Sequence, residues 1–379
     1  MEKFYQFMNP FSQWIKLVEK LHYDSGYVFC NIVDLVLINH LNFHKVSTPL
    51  TFFLIYDQNL NELSIFDNSN GFSYYELISL SNFFQGDNEQ YHGYFRSLIK
   101  LAYQFEFFNQ SASEEVGYYF KLHNVNQQLI FNDLKQIQRG EYYNRTSFAN
   151  GTLIRLKQLK APYELNDFKV IANQLKLIYQ KFINTDKLKF YILYKKGQEF
   201  FDLSTNPLNK LTTLDKAKSL AKTKKPALAN LKNGEKRILI QETIDWNNQK
   251  IYLSGYLGVL SEPDFKKAGL YLYNNNKLVK GINVYDRYRP ELLFGSASHL
   301  NNAYLYGELE LANLSTGLSS DIFEYDARFE KQLLKILLSI VGDQRYNQTD
   351  KISGLIKALA KQKKANRPPT KVTNKEKMK

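Results

Sequence analysis

The chain has 379 residues, 44% of them hydrophobic, which is enough for two domains with a core each and excludes a disordered polymer. Lys and Arg outnumber Asp and Glu by 50 to 37, a net charge of +13 that favours a polyanionic partner, nucleic acid before an anionic membrane surface, although Lys and Asn also rise together in AT-rich genomes. A single cysteine, Cys30, excludes an intramolecular disulfide, and no apolar run reaches the ~18 residues of a membrane span, so a cytoplasmic protein without membrane association is expected.

Residues 1–20 mix charge into their pattern and show no signal-peptide core. Residues 11–22 and 27–41 read as helices; in the second, Val28, Ile32, Leu35, Val36 and Asn39 fall on neighbouring turns, and Cys30 in its apolar flank is expected to be an inert core residue. Strands at 50–57 and 60–66 follow, joined by Asp57-Gln58-Asn59 into a hairpin. The turn cluster Asp67-Asn68-Ser69-Asn70-Gly71 comes directly after. Helices are expected at 74–84 and 96–107, then strands between polar turns as far as the strand that opens Gly151-Thr152-Leu153-Ile154. An amphipathic helix at 165–183 and a strand at 190–194 close the first half.

Residues 208–237 hold nine Lys or Arg against Asp215 and Glu235 and read as a basic linker or exposed insertion. Strands punctuated by glycines dominate to Leu314, followed by helices at 327–341 and near 351–361. The stretch 361–379 has eight basic residues, one acid and a Pro pair, and is expected to be disordered. The division expected is therefore 1–207, linker 208–236, second domain 237–345 and basic tail 346–379. Among the six histidines only His40 and His44 sit four apart; without a His-Glu-x-x-His text they read as a surface pair at a helix end. There is no P-loop and no Gly-x-Ser-x-Gly elbow.

The order of helix, hairpin, Asp-x-x-x-Gly turn, helix pair and Gly-Thr-x-Ile strand, over roughly residues 20–195, resembles the Bergerat nucleotide-binding fold of the GHKL superfamily of gyrase, heat-shock chaperone, histidine kinase and MutL ATPases. The resemblance implies an α/β sandwich whose sheet, covered on one face by helices, holds ATP under a mobile lid. In the family a Glu and an Asn four residues apart on one helix face supply the general base and a Mg²⁺ ligand. The matching positions here are Asn31 and Leu35: an amide cannot accept the proton and an alkyl group cannot bind a hard cation. Loss of a positioned base costs ~10²–10⁴ in rate. Asp34 matches the family.

In the second motif, Asp67 matches the residue that accepts the adenine amino group, Gly71 matches a glycine and Ser69 replaces one; a turn-stabilising Asp is the alternative reading. In the lid motif Gly93, Phe95, Lys100 and Ala102 match, while Arg96 and Leu98 replace phosphate-facing glycines and would fill the phosphate space. Gly151-Thr152-Leu153-Ile154 is intact, and Thr152 would join Asp67 around adenine; an ordinary strand opened by a turn is its alternative.

The second half resembles the ribosomal S5-like transducer domain of the same superfamily, nearest to MORC- and MutL-type proteins. The residues that carry this are Ala268-Gly269-Leu270-Tyr271-Leu272-Tyr273-Asn274-Asn275-Asn276-Lys277-Leu278-Val279, Tyr288-Arg289-Pro290-Glu291 and Leu305-Tyr306-Gly307-Glu308. Ser320 occupies the place of the lysine that reaches the γ-phosphate in active members. The expectation is a pseudo-ATPase that binds no nucleotide, or ATP weakly or without Mg²⁺, and forms a homo- or heterodimer. It would act as a DNA-associated subunit of a repair, topology or restriction complex. Lys222, Lys224, Lys225, Lys361, Lys363, Lys364 and Arg367 would contact phosphates without sequence readout. An active clamp or chaperone-like ATPase, and a protein-interaction module without nucleic acid, are the alternatives.

Overall fold

The computed structural model describes residues 25–43, 48–77, 98–125, 128–131, 135–204, 228–230, 236–260, 262–282, 287–296, 298–314 and 327–341. The helices expected at 11–22 and 351–361, most of the basic linker and the tail lie outside them. The protein is mixed α/β and divides into two compact units, one holding the described residues up to Ser204, the other those from Leu228.

The first unit contains α1 (Ser25–Phe43), β1 (Leu50–Asp57), β2 (Glu62–Asp67), α2 (Leu98–Leu101), β3 (Ala102–Gln110), β4 (Val116–Val125), β5 (Gln128–Phe131), β6 (Lys135–Gln138), α3 (Arg139–Thr146), β7 (Gly151–Leu159), α4 (Leu165–Ile178), α5 (Gln180–Asn184), β8 (Leu188–Lys196) and β9 (Glu199–Asp202). Among the described residues its sheet runs β5-β4-β3-β7-β2-β1-β8-β9, with β6 beside β4. β1 pairs antiparallel with β2 and parallel with β8, so the sheet is mixed.

β1 alternates strictly: Leu50, Phe52, Leu54 and Tyr56 are buried, and the residues between them are half-exposed. Its hairpin turn extends to Asn61, at φ 47°, and Asp57 Oδ1 accepts the amides of Asn59 (3.0 Å) and Leu60 (3.2 Å). α1 and α4 pack together on this side of the sheet. Every residue of α1 from Val28 to Leu37 is buried, as its apolar sequence on all sides requires. Cys30 is buried within it. His40 is 1% exposed, with Nε2 3.0 Å from the Thr48 carbonyl. This corrects the surface reading of His40; the polar ring is accommodated because the chain returning toward β1 presents that carbonyl.

The helix expected at 96–107 is also corrected. Of its described residues only Leu98–Leu101 is helical, and Ala102–Gln110 is a strand whose Tyr and Phe residues pair with β4 and β7. The opposite sheet face carries a lateral row in register across six strands: Tyr119, Phe108, Leu153, Phe66, Phe53 and Tyr191. Phe53 stacks between Phe66 and Tyr191 with centroids 4.6 Å away on each side. α3 covers the Phe108 end through Tyr142.

The second unit contains β10 (Leu228–Asn230), β11 (Lys236–Trp246), β12 (Gln249–Val259), β13 (Gly269–Asn274), β14 (Lys277–Lys280), α6 (Glu291–Phe294), α7 (Asn301–Tyr304), β15 (Leu305–Ala312) and α8 (Ala327–Val341). Its sheet runs β10-β11-β12-β15-β13-β14, with β13 and β15 parallel. Two hairpins turn on Asn pairs with positive φ at both positions, Asn247-Asn248 and Asn275-Asn276, the backbone of a type I′ turn. Phe329, Leu333, Leu337 and Val341, four apart on α8, enter a core with Ile238, Leu253, Leu257 and Leu309. On the other sheet face Tyr256 donates to the buried Glu308 carboxylate (2.7 Å), and the Arg237 guanidinium lies over Tyr256 (4.2 Å). Among the described residues no helix is long and apolar enough to cross a membrane.

Candidate functional site

Three adjacent strands, β2, β7 and β3, bring Asp67, Thr152 and Asn109 into one row. Asn109 and Thr152 are register partners, and Thr152 Oγ1 donates to Asp67 Oδ2. Asp67 Oδ1 accepts the amides of Ser69 (2.8 Å) and Thr152 (3.4 Å). The carboxyl is 0% exposed. Burial pushes its pKa above the ordinary carboxylate range, against the pull of the Ser69 and Thr152 donors.

The turn after β2 is held by side-chain amides and its own hydroxyl as well as by backbone bonds from Asn68 N–H to the Thr51 carbonyl (3.2 Å) and from Ala112 N–H to the Asn70 carbonyl (2.7 Å). Ser69 Oγ accepts the Gly71 amide (3.2 Å), Asn68 Oδ1 accepts Thr51 N–H (2.6 Å), and Asn150 donates to the Ser69 carbonyl. Asn109 closes a two-bond ring on Phe72, accepting its N–H and donating to its carbonyl, each at 2.7 Å. From α1, Asn39 Nδ2 donates to the Gly71 carbonyl (2.9 Å), while Asn39 Oδ1 is buried with no hydrogen-bond partner among the described residues.

Gly71 has φ +65°, and a Cβ there would lie 2.2 Å from the Gln110 carbonyl oxygen; a Cβ at Gly151 would lie 2.1 Å from the Asp67 carbonyl oxygen. Both glycines are thus demanded by the protein's own backbone, where β2, β7 and β3 converge.

Asp67, Gly71 and Thr152, singled out in the sequence, come together. Asn39 of α1 bonds the turn, one turn past Leu35 and about 12 Å of helix rise past Asn31. Asn31 and Leu35 are buried, and Asp34 accepts the Tyr179 hydroxyl (2.6 Å). Lys100 falls in α2. Gly93, Arg96, Ser320, Lys222, Lys224, Lys225, Lys361, Lys363, Lys364 and Arg367 lie outside the described residues.

Sequence reasoning missed Asn109 and the role of Asn39. The signal for Asn39 was present, since it shares the helix face of Leu35 four residues earlier; Asn109 was hidden because its strand read as the end of a helix. Among the described residues, no group of three or more His, Cys, Asp or Glu side chains is placed to hold a metal ion.

For the nucleotide that the resemblance implies, Asp67 is 0% exposed and already bonded to Ser69 and Thr152, while the buried Asn39 Oδ1 has no hydrogen-bond partner among the described residues. The hydrolytic half does not fit: on the helix face of Asn39, the residue four before it is Leu35, which cannot take a proton from water. No protein-family model matches the chain, and no curated protein matches it in sequence.

Proposed function

We propose that this is a non-hydrolysing member of the GHKL type, a Bergerat-like unit followed by an S5-like transducer unit, working as a DNA-associated scaffold. The observation that carries the reading is the pairing of Leu35 with Asn39. In the family the base and the metal-binding amide sit four residues apart on one helix face; here the amide that meets the Asp67–Gly71 turn is Asn39, and its partner is an alkyl group. This register replaces the Asn31/Leu35 one and leads to the same chemical conclusion, with one difference. Within this motif the amide is retained and the base is lost.

Asp67 and Thr152 would read the adenine edge, so nucleotide binding without turnover is the expected behaviour. Thermal-shift titration with ATP, with and without Mg²⁺, together with a phosphate-release assay, tests it. Phosphate release at tens of turnovers per hour or faster would return the protein to the working ATPases. The DNA partner rests on the net charge of +13 and is read by affinity for a duplex across salt concentrations, where a steep fall with salt is expected.

A further inference from the structure

Arg287 and Arg289 flank Tyr288, whose backbone bridges to Leu270 in both directions (3.1 and 3.2 Å). Tyr288 enters the core of the second unit, so alternation sends the two arginines to the opposite side. There both guanidinium groups converge on one oxygen. Arg287 Nη1 and Arg289 Nη2 each donate to the Ala268 carbonyl at 2.8 Å, and Arg289 also donates to the Phe265 carbonyl at 2.8 Å. Two aromatic rings hold the planes: Arg287 lies 4.7 Å over Tyr271 and Arg289 4.0 Å over Phe265. Gly269 makes room for them, since a Cβ there would lie 2.9 Å from both Arg287 Cβ and Arg289 Nε.

What the cluster lacks is an acid. Among the described residues no carboxylate lies within ion-pair distance of either arginine. Asp264, the acid whose charge Arg287 feels, is committed to the amides of Lys266 and Lys267 and to Lys267 Nζ (3.6 Å). Among the described residues both buried Nε atoms are without partners, and Arg287 Nη2 and Arg289 Nη1 make no hydrogen bond. Burial, and for Arg289 the neighbouring Arg287 charge, pulls each guanidinium pKa down from its usual value. Two half-buried like charges side by side, stacked and oriented but without an ion-pair partner among the described residues, favour an anion that completes them. Lys266 and Lys267, both exposed, continue the positive strip along the same loop.

We infer that Arg287 and Arg289 form an oxyanion site that takes a phosphodiester of a nucleic-acid backbone, held by the outward N–H edges of the two stacked guanidiniums. The inference rests on the nucleic-acid partner proposed above and adds the residues that meet it; none belongs to the linker or the tail.

The test is fluorescence anisotropy of a labelled DNA duplex with the full chain over a salt series. It compares the wild type with R287Q, R289Q, R287K and R289K, each checked for an intact circular-dichroism melt. Each Gln variant is expected to bind about tenfold more weakly, with the slope of log K against log salt shallower by about one. The Lys variants keep a donor for the Ala268 carbonyl and the charge, so they should fold, keep the slope and lose roughly threefold from the missing fork. Folded Gln variants with wild-type affinity and slope would overturn the site while leaving DNA association standing, as would Lys variants with wild-type affinity if the Gln variants do not fold. A wild type that binds no duplex at low salt would remove the DNA reading and this inference together. Loss of binding to polyglutamate in the Gln variants with DNA binding unchanged would overturn this inference alone and mark an acidic-protein surface instead.

Discussion

Asn109 and Phe72 show what one side chain contributes to the candidate site. The amide mimics a strand neighbour, accepting one backbone N–H and donating to one carbonyl at 2.7 Å each, in a place 0% exposed. Asn109→Ala leaves both groups buried and unpaired, and a loss of about 2–4 kcal/mol is expected in urea unfolding. A loss under about 0.5 kcal/mol would mean that water takes over both bonds. The same accounting explains why Asp67 reads two ways from sequence alone. Its carboxylate both caps its own turn through Ser69 and meets Thr152 across the strands. The family resemblance implied that Asp67 and Thr152 would meet, and across 85 residues of sequence they do. Nothing in the motifs pointed to Asn109, whose strand read as part of a helix.

The strands of the first unit are tied by charges as well as by backbone bonds. Glu106 on β3 sits between Lys157 on β7 (2.9 Å) and Lys121 on β4 (3.3 Å), with Arg155 at 3.4 Å, and Arg155 also grips Glu62 on β2. Burial alone would raise the Glu106 pKa, but the bond to and charge of Lys157, then Lys121 and Arg155, outweigh it and hold the carboxyl below its ordinary value. A carboxylate with a depressed folded pKa stabilises the fold above its unfolded value of about 4.3, and that stabilisation fades as pH falls through the folded value. Glu106→Gln should therefore be less stable than the wild type at neutral pH, with the gap closing below about pH 4. A gap independent of pH in denaturant titrations would exclude the carboxylate as its source. This strand is also where periodicity misled. Leu98, Ile99 and Leu101 carry helical spacing into Ala102–Gln110, and only pairing with β4 and β7, which are remote in sequence, decides for the strand. By contrast β1, a short apolar run closed by the Asp57-Gln58-Asn59 turn, and α8, with four-residue apolar spacing, were legible because their signals are local.

Each unit closes its own core, built on its own sheet, and this sets how damage should spread. Gly71→Ala must strain a φ of +65° and press a methyl into the Gln110 carbonyl, at a cost of about 3 kcal/mol or more. Hydrogen exchange should quicken in β1, β2 and β7 and stay unchanged in β11, β12 and β15. Acceleration of equal size in both sets would show that the chain unfolds as one cooperative body. The parallel pairing of β1 with β8, which brings Asp57 against Lys195, 138 residues later, has a further result during synthesis. As the nascent polypeptide leaves the ribosome, the apolar α1 and the first hairpin emerge long before α4 and β8 exist to cover them. The first unit must wait for its own last strands, and in that interval it is a natural client for chaperones that shield greasy segments.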